Sequence, residues 1–167
     1  APTSDYNGAY STFAFRDEAL AVIAALGDKR LLLYQAWNAV HATVAVPDDF
    51  AGELGIAGLM HQARERGETA TRATFLGALK LVDDANAAIF GALGEKARDT
   101  VWLQTSDNGG IVKDGGNNYP LRGEKNLLFQ GGFHVPCFLW LGAGLRPAAP
   151  PKAYGGLVFV ADVLPTL

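Results

Sequence analysis

Apolar and polar positions divide the chain into alternating segments of helical and extended character. Phe15, Ala19, Val22, Ile23 and Leu26 recur at three and four residues and Gly27 follows them, which predicts a helix closed by a glycine cap. Arg30 to Ala36 is a short, nearly continuous apolar run, the pattern of a strand covered on both faces. Ala45 to Phe50 and the glycines at 52, 55 and 58 predict an irregular crossing, with a short helix through Met60–Arg64. A longer helix is predicted from Glu68 to Leu93, with Phe75, Leu79, Val82, Ile89 and Leu93 on one stripe and Lys80 and Asp84 off it. It leads into an apolar strand, Thr100–Gln104. Helix, strand, helix, strand implies parallel pairing within a doubly covered sheet.

Ser106 to Lys125 is rich in glycine and asparagine with little periodicity, a long loop of the kind that carries function. Phe133–Leu141 reads as a further strand, Gly142–Pro151 as a turn-rich linker and Leu157–Val160 as a last apolar run. No internal repeat and no second domain is visible. With 167 residues, 49% of them hydrophobic, the chain can bury a core. A formal charge of −3 without any Lys/Arg cluster argues against a nucleic-acid surface and favours small molecules as partners. The single cysteine, Cys137, excludes an internal disulfide and reads as a buried thiol in its apolar run. No stretch approaches the roughly 20 apolar residues of a membrane span, and the first eight residues lack a basic-then-apolar secretory pattern.

The chemistry concentrates after the Val101–Leu103 run, in Thr105-Ser-Asp-Asn-Gly-Gly110 and Asn117-Asn-Tyr-Pro-Leu-Arg-Gly-Glu-Lys125. Asp107 and Asn108 fall where a strand ends, the edge at which open α/β sheets hold ligands. Each offers an oxygen, and the glycines behind them allow the sharp turn that aims both at one hard cation; the same residues equally suit a plain turn or helix cap. His41 follows the Leu31–Ala36 run closely enough to reach the same edge, either as a proton donor and acceptor near neutral pH or as a hydrogen-bonded loop histidine. Lys125 is either a holder of an anionic oxygen or a solvated surface lysine. Arg122 has the same ambiguity, or ties the loop's own carbonyls together. His134 and Cys137, three apart on a strand, point to opposite faces and make a poor metal pair. The loop also lacks the phosphate cradle of a nucleotide-binding motif.

Ser106-Asp-Asn-Gly-Gly110, Asn117 through Lys125, Gly131-Gly-Phe-His-Val-Pro136 and Asp162-Val-Leu-Pro-Thr-Leu167 together resemble the type I sulfatase family, closest to its arylsulfatase B (N-acetylgalactosamine-4-sulfatase) branch. The resemblance also takes in Tyr10-Ser-Thr12, Leu32 to Tyr34, Ala39-Val-His41, Val46-Pro47 and Leu79–Ala85, so it runs nearly the whole length in order. It implies an α/β, alkaline-phosphatase-like fold with a mixed, mostly parallel sheet flanked by helices, here incomplete. It implies hydrolysis of a sulfuric ester with a calcium ion in the site. Asp107 and Asn108 match two calcium ligands, His41 the histidine near the leaving-group oxygen, and Lys125 the lysine that contacts the sulfate. A sulfated small molecule or glycan is the implied substrate, and an extracellular, periplasmic or lysosomal setting the implied location.

The departures are as informative. Sulfatases make a formylglycine from the first residue of a Cys/Ser-x-Pro-x-Arg motif. The near-echo Asn118-Tyr-Pro-Leu-Arg122 has neither cysteine nor serine at its head, and Cys137 is not followed by such a motif. The paired aspartates that complete the family's calcium shell have no counterpart here either. The sequence therefore reads as the later part of a sulfatase catalytic domain, residues 1–167, truncated at both ends and inactive by itself. A non-catalytic sulfatase-like binding module and a phosphate or phosphonate ester hydrolase of the same superfamily are the alternatives. His134 stands where the family usually has arginine and Phe159 where it often has histidine.

Overall fold

The computed structural model describes residues 8–51, 54–147 and 153–166. The expected crossing glycine at 52, the end of the Gly142–Pro151 linker and most of the first eight residues lie outside them. The chain divides into two compact units, one of residues 1–93 and 106–135, the other of residues 94–105 and 136–167.

The first unit is helical. Helix α1 spans Ser11–Ala24, α2 Asp48–Ala51, α3 Leu54–Glu65 and α4 Ala70–Ala92, and both α1 and α3 pack on α4. Thr69 caps α4, its hydroxyl accepting from the Arg72 amide at 3.1 Å, a contact that contributes about 1 kcal/mol. The predicted helices are present, but the buried face is shifted. On α4 the core positions are Ala73, Gly77, Ala78, Leu81, Val82, Ala85 and Ile89, while Leu79 is 46% exposed. On α1 they are Thr12, Ala14, Ala19 and Ile23, with Phe15 and Val22 outside. Small residues dominate this face because they let helix axes approach closely. Counting only large side chains displaces the stripe. Burial of Leu81 and Ile89 supplies the larger increments, about 1.5–3 kcal/mol each.

The Arg30–Ala36 run is not a strand. It belongs to no ladder among the described residues, with Leu32 86% and Tyr34 91% exposed. A strand needs partner backbone to take up its amides and carbonyls, and among the described residues this run has none.

The second unit holds a 3₁₀ turn, Gly94–Asp99, and two strands, β1 (Val101–Thr105) and β2 (Cys137–Leu141). They pair antiparallel, Val101 opposite Leu141 and Thr105 opposite Cys137, so the parallel pairing expected from alternation is absent from the described sheet. Mixed sheets commonly carry such a pair. Phe133 to Pro136 stays outside β2; residues 130–133 form the short helix α5. Cys137 is exposed rather than buried. Residues 157–160 are also exposed and lead through a 3₁₀ turn at Val160–Asp162 into α6, Val163–Thr166, so the last apolar run is not a covered strand. Among the described residues no helix is long and apolar enough to cross a membrane.

Tyr10, at the N-cap of α1, donates its phenol hydrogen to the Ala45 carbonyl at 2.9 Å. Burial pushes its pKa above the ordinary 10.0, the neighbouring Thr12 hydroxyl pulling by a smaller amount the other way. The unfolded phenol ionises first as pH rises, so the stability held below about pH 10 is lost progressively as pH climbs through the higher folded value. Urea midpoints between pH 8 and 11 are expected to fall, and to fall less in Tyr10→Phe. An identical decline in both chains would refute the assignment.

Candidate active site

The site is built on a glycine network that begins where β1 ends. Ser106 donates to the Asn108 carbonyl at 2.9 Å and the Asn108 side-chain amide to the Gly109 carbonyl at 3.2 Å, folding the Asp-Asn pair into a tight bend. The Gly109 amide then reaches the Gly132 carbonyl at 2.9 Å. Asn118 is the staple of the loop. Its side-chain oxygen takes the Gly110 amide at 2.9 Å, and its side-chain nitrogen gives to the Gly110 carbonyl at 2.7 Å and the Gly123 carbonyl at 3.2 Å. The Gly131 amide closes on the Arg122 carbonyl at 2.7 Å, and Glu124 accepts the Val112 amide at 2.7 Å. Arg72 of α4 anchors the far side through the Gly115 carbonyl at 2.7 Å.

The glycines are needed because backbone meets backbone without intervening side chains. A Cβ on Gly110 would stand 2.9 Å from Gly116 Cα, and one on Gly123, whose φ is +89°, 2.7 Å from Phe129 Cβ. Compaction turns a 20-residue irregular segment into a closely hydrogen-bonded platform.

On that platform Lys125, half-buried, places its ammonium 3.1 Å from Nε2 of His41, 84 positions away in sequence. The other ring nitrogen, Nδ1, lies 2.8 Å from the Ala42 carbonyl. A carbonyl only accepts and an ammonium only donates, so the pair of contacts selects the neutral tautomer with hydrogen on Nδ1 and the lone pair on Nε2.

The two expected metal-ligating residues are displayed differently. Asp107 is exposed and, among the described residues, its carboxylate takes no ion pair. Asn108 spends its amide nitrogen on Gly109, which leaves its side-chain oxygen as an acceptor. Both donor atoms are the hard oxygens that calcium prefers, and neither is committed to packing. They are two, however, and no group of three histidine, cysteine, aspartate or glutamate side chains that could hold a metal occurs among the described residues.

His41 and Lys125 are thus brought into contact. Asp107 and Asn108 are tied to the Lys125 segment through glycine backbone, with no hydrogen bond or ion pair to the His–Lys pair among the described residues. Arg122 stacks on Phe129, its guanidinium carbon 4.0 Å from the ring centre. Asn118-Tyr-Pro-Leu-Arg122 is loop scaffolding, since its asparagine is consumed as the staple. His134 and Phe159 are both exposed. The residue-by-residue reading missed the role of Asn118, whose only signal was its place in an Asn-Asn doublet within a glycine-rich loop.

Comparison with known proteins gives the family. The sulfatase family model matches residues 1–167. Arylsulfatase J of Mus musculus is 29% identical over 139 residues, 81% of this chain and 22% of that protein. The crystal structure of Ps i-CgsB in complex with k-i-k-neocarrahexaose matches with a TM-score of 0.68 and 29% identity over 81% of this chain and 30% of that one. Another crystal structure of Ps i-CgsB matches with a TM-score of 0.67 and 29% identity over 81% of this chain and 30% of that one. The chain therefore spans less than a third of each of these relatives. These matches support the expected α/β, alkaline-phosphatase-like fold in incomplete form, while the arylsulfatase B branch remains an expectation of the sequence. On the family match over its whole length, the chain belongs to the sulfatase family.

Proposed function

We propose that this chain carries one half of a sulfuric ester hydrolase centre, the half that binds the sulfate and attends the leaving group. The observation that carries the reading is the contact between Lys125 and His41, two residues the family pattern assigns to the sulfate and the departing oxygen. Lys125 would neutralise charge on a sulfate oxygen through a charge-assisted hydrogen bond. An anion entering beside the ammonium would displace it from Nε2; the freed Nε2 lone pair could then take a proton from solvent and pass it to the departing alkoxide, which returns the ring to its neutral Nδ1–H form. The Ala42 carbonyl keeps the ring oriented for that transfer. Asp107 and Asn108 are the residues that would hold calcium, and the ion when bound would supply further positive charge against the sulfate oxygens. The nucleophile is not among the residues of this chain, since it contains no Cys/Ser-x-Pro-x-Arg motif, and no nucleophilic step is assigned to it. The substrate proposed is a sulfated small molecule or glycan; the oligosaccharide bound by Ps i-CgsB favours the glycan.

Calcium usually takes six to eight oxygens and this chain offers two from one segment. Titration calorimetry is expected to give a dissociation constant no tighter than about 1 mM, the weak end of known calcium sites, and no measurable heat for Asp107→Asn. Micromolar affinity, or binding that survives the substitution, would contradict the placement of the ion. Inorganic sulfate is expected to shift the His41 and Lys125 resonances, and to leave the His41 resonances unmoved in Lys125→Met.

A further inference from the structure

The segment from Trp37 to Ala45, which carries His41, has neither helix nor strand. Two side chains from elsewhere in the same unit hold its ends. At the near end the Trp37 indole donates to the side-chain oxygen of Asn86 on α4 at 3.0 Å, across 49 positions. At the far end the Tyr10 phenol holds the Ala45 carbonyl, across 35 positions. Between them the His41 amide donates to the Asn38 carbonyl at 3.0 Å and closes the turn from which the ring projects.

These anchors are made by half-buried groups. They link the turn to α4 and to the start of α1, whose mutual packing forms the core of the unit. An irregular segment of this length would otherwise sample several backbone states, each pointing the imidazole elsewhere. We propose that Tyr10, Trp37 and Asn86 are positioning residues, which transmit the rigidity of the α1–α4 core to His41 and so fix its tautomer and its aim at Lys125. The proposal rests on the sulfate-ester reading only for what the oriented ring does, since the orientation is a property of the chain alone.

The test is ¹⁵N NMR of the His41 ring in the intact 167-residue chain, at a pH where the ring is observed neutral, with circular dichroism as a control for folding. The parent chain is expected to show one tautomer, hydrogen on Nδ1. Trp37→Phe removes one donor, Tyr10→Phe the other, and Asn86→Leu the acceptor. Each is expected to lose the single-tautomer pattern and the cross-relaxation between His41 and Lys125. Asn86→Asp keeps an oxygen for the indole and is expected to retain both. Folded variants whose His41 signals match the parent's would overturn the proposal, as would an Asn86→Asp chain that behaves like Asn86→Leu. If Asn86→Leu unfolds, the two phenylalanine variants decide. Failure of the sulfate-ester reading looks different: the parent tautomer is intact and added inorganic sulfate moves neither residue.

Discussion

Gly109→Ala is expected to dismantle the site. A methyl group there overlaps the Gly131 carbonyl oxygen, which belongs to backbone and cannot rotate away, and also approaches the side-chain oxygen of Asn118 at 3.2 Å. The Gly109–Gly132 hydrogen bond and the Asn118 staple are made by the next atoms along, so relief of the clash requires giving up one or both. Overpacking of this kind costs about 3 kcal/mol, the upper end of its usual range, a large fraction of the stability of a small domain. The midpoint of urea unfolding should fall accordingly and the His41–Lys125 contact should disappear from the NMR spectrum. Gly58→Ala is the control. Gly58 lies in α3 with nothing within 4 Å of the added carbon, so alanine there is expected to leave the midpoint unchanged or raise it, by up to about 1 kcal/mol. Equal effects at the two positions would show that the loop tolerates separation of its strands of backbone.

The 167-residue chain by itself is expected to hydrolyse an aryl sulfate no faster than buffer does. Enzymes of ordinary power accelerate their reactions by at least about 10⁶-fold, and most of that is out of reach when no residue forms the covalent intermediate and only part of the metal shell is present. In the proposed reading the residues that remain would bind an anion and orient it, which gives affinity rather than rate. Release of product above background from purified chain, lost in Lys125→Met, would sink this expectation and would require a nucleophile among residues that the family pattern does not use for one. Activity that survives Lys125→Met would instead identify a contaminant.

Much of the site is legible in local sequence because its chemistry is local. Asp107 and Asn108 are neighbours, the glycines that bend them follow immediately, and the order of motifs from Tyr10 to Leu167 carries the family. The helices are legible for the same reason, since the three- and four-residue recurrence of apolar positions is a property of short segments. Reading fails where alanine does the packing, as along Ala78 and Ala85 of α4, because a small side chain gives little contrast between faces.

What the sequence by itself determined is the existence of α1, α3, α4 and β1, the identity of the four candidate groups and the absence of a formylglycine motif. Only the tertiary structure decided that His41 and Lys125 touch, that Asn118 staples the loop, that Arg30–Ala36 stays out of a ladder and that β1 meets β2 antiparallel. The physical reason is common to all four. Each depends on which distant backbone or side chain satisfies a polar group, and apolar periodicity records only which side of an element avoids water.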